Sequence, residues 1–232
     1  MKILEIYCGT KSFSKIAEKK GHQIFTIDFN PKFNPDMACD MLYFNKKMLP
    51  KEWRNPDILW CSPPCETFSL SGNSMYMGFP TKSKTYIGLA LAYKCIELIR
   101  ELQPKYWIIE NPRAGLRSVW FMKPLPRTTV SYCQYGGNNM KPTDLWNNFG
   151  FEGKLCNNGD SCHESAPRGS NKGTSGEKST EIRGIIPSKL CEEILNKITT
   201  TGETVFPTED IIIAKSNKIL TTSRSFANAK GT

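Results

Sequence analysis

Two places in the chain put reactive groups at the ends of apolar runs. Asp57 to Cys61 (DILWC) leads straight into Ser62-Pro63-Pro64-Cys65, and Tyr106 to Glu110 (YWIIE) ends on a carboxyl followed by Asn111-Pro112. Adjacent prolines neither continue a central strand nor donate to its ladder, so the chain must turn there and present Cys65 on a stiff loop. An acid closing a buried run is unfavourable unless it faces a site. A thiol and a carboxyl side by side above one sheet suit covalent attack with acid assistance. Cys8, Cys39, Cys61, Cys95, Cys133 and Cys191 read instead as small buried hydrophobes. Cys156, Cys162 and His163 lie close together, but the spacing CNNGDSCH matches no common zinc finger and shows three ligands, so no metal is expected.

The elements that must position these groups alternate strand and helix. Ile3 to Tyr7 is an apolar run broken by Cys8-Gly9-Thr10-Lys11; Phe13, Ile16 and Ala17 then recur at helical spacing up to Gly21. His22 to Asp28 is a second buried strand ending in an acid, which completes a βαβ unit. A Gly turn before a helix N-terminus, with an acid at the next strand end, is where a cofactor settles. A short strand is expected around Met37 to Cys39, ahead of Asp40, and a mobile loop from Glu66 to Thr81. A helix follows from Lys84 to Leu102 with Ile87, Leu91, Cys95, Leu98 and Leu102 on one face. Asn111-Pro112 is expected to end the strand at Glu110. Thr128 to Tyr132 and Asp144 to Asn148 read as later, antiparallel strands, and Pro187 to Ile198 as a last helix. Phe151 to Arg183 is polar and without periodicity, a loop or small irregular segment. The fold class is therefore α/β, a doubly wound and mostly parallel sheet. Residues 1–150 form the main domain, 151–183 an irregular insertion, 184–199 a returning helix, and 200–232 a tail expected to be mobile.

Composition narrows the partners. The chain has 232 residues, room for one sizeable domain with a true core, and 31 Lys+Arg against 22 Asp+Glu give a net charge of +9. That surplus favours a polyanion, through phosphate contacts and counterion release. Nine cysteines spread through core-like segments suit a reducing compartment rather than a disulfide scaffold. With no leader-like start and no long apolar run, the chain is expected to be cytoplasmic and free of membrane.

Pro64-Cys65-Glu66-Thr67-Phe68-Ser69 and Glu110-Asn111-Pro112 together resemble the cytosine-C5 DNA methyltransferase family, whose motifs read Pro-Cys-Gln-x-Phe-Ser and Glu-Asn-Val. The resemblance runs from about Ile3 to Leu195, with the motifs in the family's order. Tyr7-Cys8-Gly9-Thr10-Lys11 is similar to the family's Phe-x-Gly-x-Gly loop, with Lys in place of the second Gly. Asp28-Phe29 matches its ribose and adenine contacts, and Asp40 its adenine-amine contact. The resemblance thus implies a Rossmann-like methyltransferase fold that binds S-adenosylmethionine through Tyr7, Cys8, Gly9, Thr10, Asp28, Phe29, Asp40 and Pro63. It implies Cys65 as the nucleophile on a cytosine flipped out of duplex DNA, Glu110 as the N3 contact, and Asn111 as support for the loop. Asn139, Lys141 and Thr143 occupy the family's Gln-x-Arg-x-Arg positions, and Arg183 to Pro187 matches its Arg-x-Leu-Thr-Pro. Lys141 is accordingly a substitute contact to cytosine or phosphate, and Ser69, Arg168, Lys172 and Arg183 are candidate nucleic-acid contacts. Residues 151–183 would be an abbreviated target-recognition segment, the family's C-terminal Gly-Asn-Ser is absent, and a monomer is expected. RNA or another pyrimidine as substrate, and an inactive nucleic-acid-binding homologue, are the alternatives.

Overall fold

The computed structural model describes residues 1–68, 75–76, 79–80, 83–157, 159–163 and 179–201. In chain order the elements are β1 (Lys2–Ile6), α1 (Ser12–Lys19), β2 (Gln23–Asp28), β3 (Met37–Ala38) and β4 (Ile58–Cys61). A two-residue hairpin follows, β5 (Met75–Tyr76) with β6 (Phe79–Pro80), then α2 (Ser83–Leu102). The chain continues through β7 (Tyr106–Pro112), β8 (Arg127–Ser131), β9 (Pro142–Asn147), α3 (Thr180–Gly184) and α4 (Ser188–Thr201).

One seven-stranded sheet runs in the order β3-β2-β1-β4-β7-β9-β8. The five strands from β3 to β7 are parallel, and β9 runs antiparallel to both β7 and β8. The expected doubly wound, mostly parallel α/β sheet is what forms, Rossmann-like with an antiparallel strand inserted near one edge.

Both faces are covered, which is why the strands read as continuous apolar runs rather than alternating ones. Ile3, Ile58, Trp60, Tyr106 and Ile108 point to the side occupied by α1 and α4, with Phe13 of α1 stacked on Trp60 at 4.2 Å between ring centroids. Leu4, Ile6, Leu59, Cys61, Trp107 and Ile109 point to the other side, where Ala92, Cys95, Ile96, Ile99 and Leu102 of α2 cover them.

Three expectations are corrected. β7 does not stop at Glu110: Asn111 and Pro112 pair with Asp144 and Thr143 of β9, and Pro112 is tolerated because it sits at the strand's last position. Ile87 shares the angular face of α2 but is exposed, because 20 residues of helix span about 30 Å while the four residues of β4 beneath it span about 13 Å. The stretch expected to be irregular up to Arg183 ends in a helix, α3, capped by the Ser179 hydroxyl accepting from the Ile182 N–H at 3.3 Å.

Candidate active site

In sheets of this order, ligands bind beyond the strand C-termini where the connections reverse direction, here between β1 and β4. The Tyr7–Lys11 turn leaves β1 there, and the Pro63–Cys65 turn leaves β4 beside it. Tyr7, Gly9 and Lys11 all have positive φ (57°, 45° and 58°), so the backbone curls tightly before α1. Among the described residues nothing lies within 4 Å of where a Cβ on Gly9 would project, so within them the turn opens onto free space.

Asp28 holds that turn: one carboxylate oxygen accepts from the Gly9 N–H and the other from the Asn30 N–H, each at 2.9 Å. Its first task is thus positioning. Phe29 is 68% exposed at the same edge, and Asp40 is exposed with one oxygen accepting from the Leu42 N–H at 3.0 Å. Tyr7 is tied away from the turn, donating its hydroxyl to the Leu91 carbonyl of α2 at 2.8 Å. The Thr10 and Ser12 hydroxyls are paired at 3.1 Å. Cys8 is buried, and burial, reinforced by the Glu5 and Asp28 charges, pushes its thiol up to about 12.

Sequence reasoning missed Glu5. This β1 carboxyl is 2% exposed and accepts from the Ser14 N–H at 3.0 Å and from the Ser14 hydroxyl. α1 has no side-chain cap of its own, so Glu5 satisfies one of its orphan amides from the neighbouring strand. Burial pushes the carboxyl up to about 7. An acid inside an apolar run was the available signal.

Across the switch point Cys65 is exposed on its loop. Protein still crowds it closely enough that desolvation, and then the Glu110 charge, raises the thiol above its ordinary value, while Lys141 pulls it back down. The loop is pinned to the next strand: Asn111 Nδ2 donates to the Pro63 carbonyl at 2.9 Å, deep in the protein. Asn111 Oδ1 is buried without a hydrogen-bond partner among the described residues. Glu110 is 6% exposed, and burial raises its carboxyl above the usual range against the opposing pull of Lys141, Ser62 and Tyr132. Tyr132 donates its hydroxyl to Glu110 Oε1 at 3.2 Å, and Ser62 accepts from the Trp60 indole N–H at 2.9 Å.

Lys141 enters from the far side. Its backbone has φ 28°, its Nζ donates to the Arg183 carbonyl and lies 4.5 Å from the Tyr132 ring centroid. Desolvation lowers its pKa, while Glu110 and Cys65 raise it. Thiol, carboxyl and ammonium therefore share one electrostatic environment, with the exposed Arg183 next to it. Thr143 is buried and donates to the Lys141 carbonyl at 3.1 Å. Ser69, Arg168 and Lys172 lie outside the described residues.

Two supports had no sequence signal. Gly88 of α2 lies so close to the turn after Cys65 that a Cβ there would stand 2.2 Å from Thr67 Oγ1. Asp144, fully buried opposite Asn111, accepts from Arg117 Nε at 2.8 Å and Nη2 at 2.5 Å and from the Thr129 hydroxyl at 2.7 Å.

A profile of the C-5 cytosine-specific DNA methylases matches residues 1–118. A Frog virus 3 (isolate Goorha) protein described as a probable DNA (cytosine-5)-methyltransferase is 34% identical over 173 residues, covering 70% of this chain and 78% of the viral one. Among solved structures, Entamoeba histolytica methyltransferase EhMeth aligns at TM-score 0.48 and 16% identity over 67% of this chain and 56% of its own. A putative DNA modification methyltransferase from an E. coli prophage aligns at 0.46 and 15%, over 63% and 46%. The chain spans about half the length of these two solved structures. By the profile match and the viral relative, the chain belongs to the C-5 cytosine-specific DNA methylase family, the DNA (cytosine-5)-methyltransferases.

Proposed function

We propose that this chain transfers a methyl group from S-adenosylmethionine to C5 of a cytosine extruded from double-stranded DNA, through a covalent bond from Cys65 Sγ to C6. The observation that carries this reading is an exposed Cys65, braced by the Asn111–Pro63 hydrogen bond, in the same field as buried Glu110 and Lys141. The open Gly9 turn, exposed Phe29 and Asp40 fit a nucleoside-bearing donor at the adjoining strand ends, with Tyr7, Cys8, Thr10, Asp28 and Pro63 shaping the cradle. When bound, S-adenosylmethionine supplies an electrophilic methyl group.

The chain's own residues then divide the work. Lys141 favours the Cys65 thiolate, the form that can add to C6. Burial favours the protonated form of Glu110, whose proton can be given to cytosine N3 as electron density moves onto the ring. Tyr132 donates to Oε1 and so holds the carboxyl in position. After C5 is methylated, its proton leaves to a base and the S–C6 bond breaks, restoring the thiolate. Because C6 is out of reach within a stacked duplex, the base must be extruded. Arg183 beside Lys141, with Ser69, Arg168 and Lys172, supplies phosphate contacts for that state. In the same reading, residues 151–183 recognise the target, and the protein acts as a cytoplasmic monomer. Among the described residues no helix is long and apolar enough to cross a membrane.

Trapping on an oligonucleotide containing 5-fluorocytosine tests the proposal, since fluorine at C5 blocks the final elimination. A covalent complex that depends on S-adenosylmethionine is expected with the native protein and none with Cys65→Ser. No adduct on any DNA sequence pool would overturn it, and an adduct with RNA alone would move the substrate to RNA.

A further inference from the structure

We propose that Cys133, Cys156, Cys162 and His163 form a closed zinc site that staples the segment after β9 to the turn after β8. One ligand atom from each of the four, three Sγ and a ring nitrogen, lies within 4.8 Å of all the others. The Cys133 and Cys156 sulfurs are 3.1 Å apart and those of Cys162 and Cys133 3.6 Å; His163 Nδ1 is 3.7 Å from Cys156 Sγ and 3.5 Å from Cys162 Sγ. With Zn–S about 2.3 Å and Zn–N about 2.0–2.1 Å, a tetrahedron has S···S edges of about 3.8 Å and S···N edges of about 3.6 Å. Four of the six edges fall within about 0.7 Å of those figures, and every pair lies within 4.8 Å.

The fourth ligand is what the linear spacing hides. Cys133 lies 23 positions before Cys156, in the turn that follows β8, and the fold alone brings it to CNNGDSCH. A disulfide between Cys133 and Cys156 would account for only two of the four groups. Three thiolates and an imidazole are the soft, tetrahedral donor set that selects zinc. Binding would release three thiol protons to solvent and leave a site of net charge −1.

Outer contacts already hold the ligands in place. Gln134 Nε2 donates to Cys162 Sγ at 3.4 Å, and the Cys156 N–H donates to the Ser131 hydroxyl oxygen at 3.1 Å. The loop between Cys156 and Cys162 is folded by the Asn157 N–H donating to Asp160 Oδ2 at 2.8 Å, and Gly159 supplies φ 100° there. Such supporting contacts are part of a metal site's construction. The segment also needs a staple: of Phe151 to Leu155 only Phe151 is buried, and Leu155 is 58% exposed. Cys133 directly follows Tyr132, so the metal would also steady the tyrosine that bonds Glu110. The site stands whether or not the methyl-transfer reading does.

The test is metal analysis of the full chain, purified reduced, without chelator and without a polyhistidine tag, after growth with added zinc. One zinc per chain is expected in the native protein and in Cys65→Ser, and none in Cys162→Ser, the exposed ligand whose loss least disturbs packing. Circular dichroism on Cys162→Ser separates lost binding from lost folding. If that variant is unfolded, cobalt(II) titration of the native, zinc-stripped protein decides, with the intense visible bands and thiolate charge transfer of tetrahedral cobalt expected. Zinc retained unchanged in Cys162→Ser, or native protein that neither carries zinc nor gives a tetrahedral cobalt spectrum, would overturn the proposal.

Discussion

Replacing Glu5 by Gln should remove a pH dependence that native folding carries. In the folded protein burial holds the Glu5 carboxyl at about 7, against 4.5 for an ordinary glutamate, although the Ser14 amide and hydroxyl favour its charged form. A carboxyl whose folded value is raised binds its proton more tightly in the native state than in the unfolded chain. Its favourable contribution is complete below the unfolded value and is lost as pH rises through the folded one. At about 1.4 kcal/mol per pH unit, the interval from 4.5 to about 7 corresponds to a loss of up to about 3 kcal/mol at alkaline pH. Gln keeps an acceptor for the Ser14 N–H and has no charge to desolvate. Urea unfolding of both proteins at about pH 5 and about pH 8 should therefore show the variant gaining about 2–3 kcal/mol on the native protein between the two conditions. An unchanged difference between the proteins at the two values would refute the reasoning and place the Glu5 carboxylate in water.

Asp144→Asn leaves Arg117, whose side chain is 25% exposed, without its carboxylate, and should cost about 3 kcal/mol by denaturant unfolding, with Arg117→Met on the same chain restoring part of it. Lys141→Gln removes the cation that favours the Cys65 thiolate, so alkylation of Cys65, followed by peptide mass mapping, should slow at neutral pH and its profile move to higher pH. Gly88→Ala must displace the turn at Thr67, an overpacking of about 1–3 kcal/mol that should lower methyl transfer more than it lowers stability; Thr67→Gly should rescue it.

How much was legible follows from the range over which each signal acts. The SPPC turn and the acid in YWIIE were local signals: the turn leaves β4 where its sequence placed it, and Glu110 lies two residues before the end of β7. β1, β2, β4 and β7 were legible because packing on both sheet faces makes each largely an apolar run, whereas the edge strand β3 is two partly exposed residues. Non-local pairing was not legible. Pro112 breaks strands locally, yet β9 extends β7 through it. Asp28 reads from the sequence as a ribose contact, but the Gly9 and Asn30 amides that engage both its oxygens are known only once β1 and β2 are paired. Cys133 read as one more small hydrophobe because its neighbours in CNNGDSCH arrive through the fold and not through the chain.

The antiparallel strand explains how a cation comes to face Cys65 at all. In a wholly parallel sheet the neighbour of β7 would carry its C-terminus, not its N-terminus, to the edge where Cys65 and Glu110 lie. Because β9 runs the other way, its first residues arrive at that edge: Thr143 sits opposite Pro112, Asp144 opposite Asn111, and Lys141 immediately precedes the strand. The φ of 28° at Lys141 turns the backbone just there, and the Tyr132 ring and Arg183 carbonyl hold the ammonium. The same register anchors β9 through the Arg117–Asp144 pair, so the strand is fixed directly opposite the asparagine that braces the Cys65 loop. Position, more than side-chain length, is what β9 supplies: it brings Lys141 into the electrostatic field of the carboxyl and the thiol.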